Sequence, residues 1–155
     1  MTSILFLCLG NICRSPLAEG VFAHHIKKAG LEDKITYDSA GNGAWHEGDP
    51  PDPRAIQVAQ KYGVDISNQR SRPLTAQDFD RFDLILAMDE GNIERLRSVM
   101  PTNSKAQVAL FLEYSTGEAT EVPDPYYGGD EGFDRVFAQI DRACQKLVEK
   151  LASSR

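Results

Sequence analysis

Cys8 and Arg14 enclose the five residues Leu9, Gly10, Asn11, Ile12 and Cys13, and Ser15 and Pro16 follow at once. A cysteine in its thiolate form is a strong nucleophile, and a helix N-terminus or a neighbouring guanidinium favours that form. An arginine presents a planar fork of donors that fits two oxygens of a phosphoryl group, which lysine cannot match. Together the two suit attack on a phosphate ester, with Cys8 as nucleophile and Arg14 as clamp. Ser15 is placed to cap a following helix and to offer its hydroxyl to the sulfur. Taken alone, a cysteine after an apolar run is more often a small buried hydrophobe, and Gly10-Asn11 an ordinary turn pair.

The element that carries these residues separates the readings. Ser3 to Leu7 is a short apolar run of the kind that forms a buried strand, the pattern breaks at Cys8, and Pro16 opens a helical periodicity. Strand, tight loop and helix in this order aim successive N–H groups and the positive end of a helix dipole into one concavity, which suits a phosphate-like anion. Downstream, the pattern predicts a helix over Pro16 to Ala29 closed by Gly30, a strand over Lys34 to Ser39, and a loop rich in Gly and Pro from Ala40 to Pro53. It then predicts a helix from Pro53 to Tyr62, a strand over Phe82 to Met88, a helix to about Val99, a weaker strand over Gln107 to Leu112, and a long amphipathic helix over Asp130 to Leu151. Strand and helix alternating in this way imply an α/β fold, a single three-layer domain over residues 1–155 with a parallel sheet covered on both faces. Sites in such sheets lie beyond the C-terminal strand ends, where Cys8 falls. His24 and His25, with no carboxylate or thiol partner at helical spacing, read as solvated or satisfied side chains; Cys144, on the apolar face of the last helix, reads as core.

The second informative stretch is Val122 to Gly129, Val-Pro-Asp-Pro-Tyr-Tyr-Gly-Gly. Two prolines stiffen the backbone on either side of the Asp124 carboxyl, while Tyr126 and Tyr127 set rings beside it. Pro-Asp-Pro is also common turn chemistry. A partly apolar wall beside a carboxyl nevertheless favours its protonated form, which a proton donor needs. Trp45 lies in the Gly-rich loop beside Gly43, His46 and Gly48, residues that do not belong to a core, and with the tyrosines it can wall a slot for an aryl group. Asn11 is suited to fix the loop in a left-handed conformation.

Cys8 to Glu19, Cys-Leu-Gly-Asn-Ile-Cys-Arg-Ser-Pro-Leu-Ala-Glu, resembles in every position the phosphate loop of the low-molecular-weight protein tyrosine phosphatases, and Asp124-Pro125-Tyr126 resembles their general-acid loop. The resemblance runs from Ile4 to about Leu151 and implies a four-stranded sheet of order 2-1-3-4, a phosphocysteine intermediate and phosphotyrosine-containing protein substrates, an autophosphorylating tyrosine kinase among them. It implies substrate contacts from Leu9, Gly10, Asn11, Ile12, Cys13, Ser15, Trp45, Tyr126 and Tyr127, with Ser39 bracing the loop. Gln69 stands where animal members carry a His that contacts the loop Asn, a departure that bears on the bracing. Cys13 in the same loop implies reversible disulfide capture of an oxidised Cys8, beside a plain packing role.

Rival readings meet specific obstacles. Thioredoxin-linked arsenate reductases need resolving cysteines after the third strand, and none occurs from Asp83 to Glu121. Protein arginine phosphatases carry Thr where Ile12 stands. A sugar-transport phosphocarrier has no use for Asp124, and a nucleotide-binding loop needs Gly-Lys-Ser/Thr where this chain has Cys13-Arg14-Ser15. A non-catalytic phosphate-binding module would not need Cys8, Arg14 and Asp124 together. The formal net charge of −6 disfavours nucleic acid and anionic membrane as partners, and three cysteines do not make a secreted disulfide framework. A chain of 155 residues buries a core without metal or disulfides. With no zinc-type spacing, signal peptide or membrane span, the expectation is a cytoplasmic enzyme without metal or cofactor, monomeric or at most a weak dimer.

Overall fold

The computed structural model describes residues 2–127 and 130–153. Strands β1 (Thr2–Cys8), β2 (Ile35–Gly41), β3 (Leu84–Ala87) and β4 (Gln107–Leu110) form one parallel sheet in the order β2-β1-β3-β4. The order places β1 in the middle, so its C-terminal end opens where connections leave in opposite directions. Helices α1 (Arg14–Ala29), α2 (Pro53–Lys61), α3 (Asp78–Arg81), α4 (Glu90–Val99), α5 (Phe111–Thr116) and α6 (Asp130–Ser153) surround it.

Alternation along β1 feeds two cores, because successive strand side chains point to opposite faces. Ile4, Phe6 and Cys8 face a large cluster with Leu17, Val21 and Phe22 of α1 and with Phe133, Ile140 and Leu147 of α6. Leu5 and Leu7 face a smaller cluster with Phe79, Phe82 and Leu96. Phe6 is fully buried, its ring edge-on to Phe22 at 5.3 Å and to Phe111 at 5.5 Å. Cys144, as expected, is core, its sulfur 3.7 Å from the Ala18 carbonyl.

Several boundaries differ from the sequence pattern for local reasons. Helix α1 begins at Arg14, not Pro16, with Cys13 as its flanking residue and no side-chain cap. Ser15 therefore lies inside the first turn and does not cap the helix. Strand β2 runs on to Gly41 because β1 continues beside it to Cys8. Phe82 lies at the end of α3, a helix that the sequence pattern does not predict, and Phe111 and Leu112 belong to α5 instead of extending β4. Short apolar runs of this kind fit a buried strand or a buried helix equally well. His25 does have a carboxylate partner: Asp141 of α6, 2.7 Å away across the helix pair, which spacing within α1 could not show.

Phe6→Ala should lower stability by about 3–5 kcal/mol through the cavity left between α1 and α5. The measurement is urea unfolding, expected to show a lower midpoint with an unchanged denaturant slope.

Candidate active site

The loop after β1 is shaped from outside. Asn42 N–H donates to the Cys8 carbonyl at 2.9 Å, the Ser71 hydroxyl to Gly10 at 2.9 Å, and Asp52 N–H to Ile12 at 2.8 Å. These carbonyls are taken by other segments, while the N–H groups of residues 10–13 have no protein acceptor among the described residues, which leaves them to an anion. Gly41 makes this approach possible, since a Cβ there would sit 3.0 Å from Gly10 backbone. Asn11 has φ 59°, as expected of it, and its carbonyl oxygen Oδ1 accepts from Arg72 N–H at 3.0 Å.

A buried chain of hydrogen bonds runs behind the loop. Cys8 Sγ lies 3.0 Å from Ser15 Oγ; Asn11 Nδ2 donates to Ser15 Oγ at 2.8 Å and to Ser39 Oγ at 3.0 Å; and Ser39 Oγ donates to Glu19 Oε1 at 2.6 Å. Ser39 thus braces the loop. Asn11 and Ser15 stand behind the cradle, so their side chains support it instead of lining the cavity. Gln69 does not touch Asn11: its Nε2 donates to the Pro16 carbonyl at 3.1 Å, on the helix side. The contact to Asn11 comes from the Arg72 backbone, held by bonds from the Arg72 guanidinium to Asp38 and Asp78. Burial raises the Glu19 carboxyl above its ordinary value, Asp38 adds to this, and Ser39 and Arg72 oppose it.

Arg14 is 2% exposed yet keeps its charge. Burial opposes ionisation, but Cys8, Asp89 and Asp124 outweigh it and raise the guanidinium above its usual value. Its Nη1 donates to Asp89 Oδ2 at 2.7 Å and to the Val122 carbonyl at 3.0 Å, and its Nη2 lies 3.5 Å from Asp124 Oδ2. Asp124 thus faces an arginine as well as the ring of Tyr126 that lines the same cavity. Asp89, just beyond the end of β3, is held by a capping box at the start of α4, where Asn92 N–H donates to its Oδ1 at 2.8 Å. Its signal was the acidic residue directly after an apolar strand.

Cys8, Leu9, Gly10, Ile12, Cys13 and Arg14 form the floor of a cavity of about 360 Å³, with Trp45, His46, Asp124 and Tyr126 as walls. Trp45 is 62% exposed, its ring resting on Gly43, where a Cβ would come within 2.4 Å. His46 was missed; only its place beside Trp45 hinted at it. The Tyr127 side chain, Gly128 and Gly129 lie outside the described residues. Burial first, then Asp52, Cys8 and Asp124, push the Cys13 thiol far up, so it stays protonated beside Cys8. A buried thiol, a chargeable fork of donors and a carboxyl meeting over inward N–H groups can hold a tetrahedral dianion and exchange a proton with its ester oxygen.

The family model for low molecular weight phosphotyrosine protein phosphatase matches residues 3–155. The chain belongs to that family. It is accordingly a phosphoric monoester hydrolase, a protein tyrosine phosphatase. It is 46% identical to the low molecular weight phosphotyrosine protein phosphatase of Schizosaccharomyces pombe, over 96% of each chain. It is 41% identical to the low molecular weight protein-tyrosine-phosphatase YfkJ of Bacillus subtilis, over 97% of this chain and 96% of the other. A crystal structure of a protein tyrosine phosphatase from Entamoeba histolytica, with Hepes in its active site, superimposes with a TM-score of 0.92 at 41% identity, covering 99% of both chains.

The raised Glu19 carboxyl favours folding while protonated, and that contribution is lost as pH rises from its ordinary value of 4.5 through the higher folded value. Glu19→Gln keeps an acceptor for Ser39 and removes the titration, so this phosphatase variant should be at least as stable as the parent at pH 7. Its unfolding free energy, followed by urea titration from pH 4 upward, should fall less with pH than the parent's.

Proposed function

We propose that the phosphatase domain, residues 1–155, hydrolyses phosphotyrosine in proteins with Cys8 as nucleophile, Arg14 as clamp and Asp124 as general acid and then base. One observation carries this reading: Arg14 and Asp124 meet at 3.5 Å over a cavity whose floor is Cys8 and the loop. Cys8 sulfur attacks phosphorus in line with the departing phenolic oxygen, while the N–H groups of residues 10–13 and Arg14 hold the equatorial oxygens. The phosphorus–oxygen bond breaks as Asp124 protonates the leaving oxygen, since phenol has a pKa of about 10 and its anion leaves poorly. Asp124, now ionised, takes a proton from water attacking the phosphocysteine, which releases phosphate and restores the thiolate. The chemistry calls for no metal or organic cofactor.

Trp45 and Tyr126 give the cavity aromatic walls suited to an aryl phosphate, and the apolar Ile12 beside them disfavours a phosphoguanidinium. Phosphotyrosine-containing proteins are the substrates this supports, an autophosphorylating tyrosine kinase among them, acted on by a monomer or weak dimer in the cytoplasm. No described helix is long and apolar enough to cross a membrane.

The test is turnover of phenyl phosphate and of a phosphotyrosine peptide in chelator-treated buffer. Cys8→Ser should abolish turnover, and Asp124→Ala should slow phenyl phosphate by about 10² to 10⁴ and a dinitrophenyl ester far less. Turnover that survives loss of Cys8, or phosphoarginine hydrolysed in preference to phosphotyrosine, would overturn the reading.

A further inference from the structure

We infer that Arg54 is the positioning residue for Asp124, registering the acid loop against the phosphate loop; this rests on Asp124 being the general acid. Asp124 lies on irregular backbone between two anchored carbonyls. Arg14 Nη1 donates to the Val122 carbonyl at 3.0 Å, and Arg54 Nη2 donates to the Tyr126 carbonyl at 3.0 Å. Between them, Tyr126 N–H donates to Asp124 Oδ1 at 3.0 Å, so the carboxylate is tied to the same residue whose carbonyl Arg54 holds.

Arg54 is itself held at both ends. Its Nε and Nη2 reach the two carboxylate oxygens of Asp52, each at 3.1 Å, and its plane sits 4.7 Å from the Phe133 ring and 5.6 Å from the Tyr126 ring. Asp52 is the cap of α2, accepting Arg54 N–H at 2.8 Å, and its own N–H donates to the Ile12 carbonyl of the phosphate loop. Ile12, Asp52, Arg54, Tyr126 and Asp124 therefore form one connected path from the anion cradle to the proton donor. A guanidinium suits this post because a single rigid fork meets a carboxylate and a carbonyl while its faces lie on rings; an ammonium on a flexible stem cannot do all three.

Loss of the bridge frees the loop at one anchor only, so the proton donor drifts while the cradle and Cys8 stay in place. A misplacement on the order of 1 Å costs about 10²-fold in a positioned reaction. The experiment compares kcat/KM across aryl phosphates from phenyl to 2,4-dinitrophenyl for the parent, Arg54→Ala, Arg54→Lys, Asp124→Ala and the double variant Arg54→Ala/Asp124→Ala. Arg54→Ala should lose about 10- to 100-fold on phenyl phosphate and little on the dinitrophenyl ester, whose leaving group needs no proton. That retained turnover also reports a folded enzyme with an intact cradle. Arg54→Lys should behave like Arg54→Ala, and the double variant should be no slower on phenyl phosphate than Asp124→Ala alone.

Equal loss on every leaving group, full rescue by Lys, or additive losses in the double variant would overturn the role of Arg54. A flat leaving-group profile for Asp124→Ala would instead overturn the general-acid reading, whatever Arg54 does.

Discussion

The site depends on one backbone constraint: a loop short enough to join β1 to α1 must turn its carbonyls out and its N–H groups in. That reversal needs a residue at positive φ, and Asn11 at 59° supplies it without glycine's entropy cost, because its side chain can bond locally. The conformation holds because its surroundings over-determine it: both ends of the Asn11 amide are used, and loop carbonyls are met by Asn42, Ser71 and Asp52 from separate segments. A cradle made in this way is rigid before substrate arrives, so little reorganisation is needed when charge moves onto the phosphoryl oxygens.

Charge in the floor follows from the same packing. Arg14 is buried deeply enough that its ionisation must be supported, and Asp89 and Asp124 support it from two sides. The two carboxylates differ in tether. Asp89 is fixed by the α4 capping box and aims the guanidinium, whereas Asp124 stands on an irregular segment at a longer distance and is the partner a dianion can displace. The acidic net charge of the chain is no obstacle to anion binding, since field strength inside a pocket is set by the nearest groups.

Much of this was legible in the sequence, and the failures have a common cause. Cys8, Arg14 and the strand-loop-helix order are local, so spacing alone exposed them; Trp45 followed from its place in a Gly-rich loop, and Ser39 from resemblance. What spacing could not show were partners brought from far along the chain: Asp89, His46 and the Asp52–Arg54 pair at the site, Arg72 behind Asn11, and Asp141 opposite His25. Gln69 in place of the family His left the bracing open, and the structure closes it from elsewhere: a backbone N–H of Arg72 satisfies Asn11, and Gln69 turns to the carbonyl of Pro16. The four residues of α3 are too few to show a helical period, and the start of α5, Phe111 and Leu112, reads as a strand end because a short apolar run fits either element.

In the proposed mechanism, the ion pair between Arg14 and Asp124 gives binding and proton transfer an order. An incoming phosphate dianion competes with Asp124 for the Nη2 donor, and it competes well because it also gains the N–H groups of residues 10–13. Displaced from Arg14, the carboxyl stays near the cavity only if its loop is held by something other than that ion pair. The Val122 carbonyl is held by Arg14 Nη1, a different nitrogen from the Nη2 that faces Asp124, and the Tyr126 carbonyl is held by Arg54, which stands outside the cavity lining. Asp124 can therefore give up its cation and remain beside the ester oxygen, which separates the group that binds phosphate from the group that moves the proton.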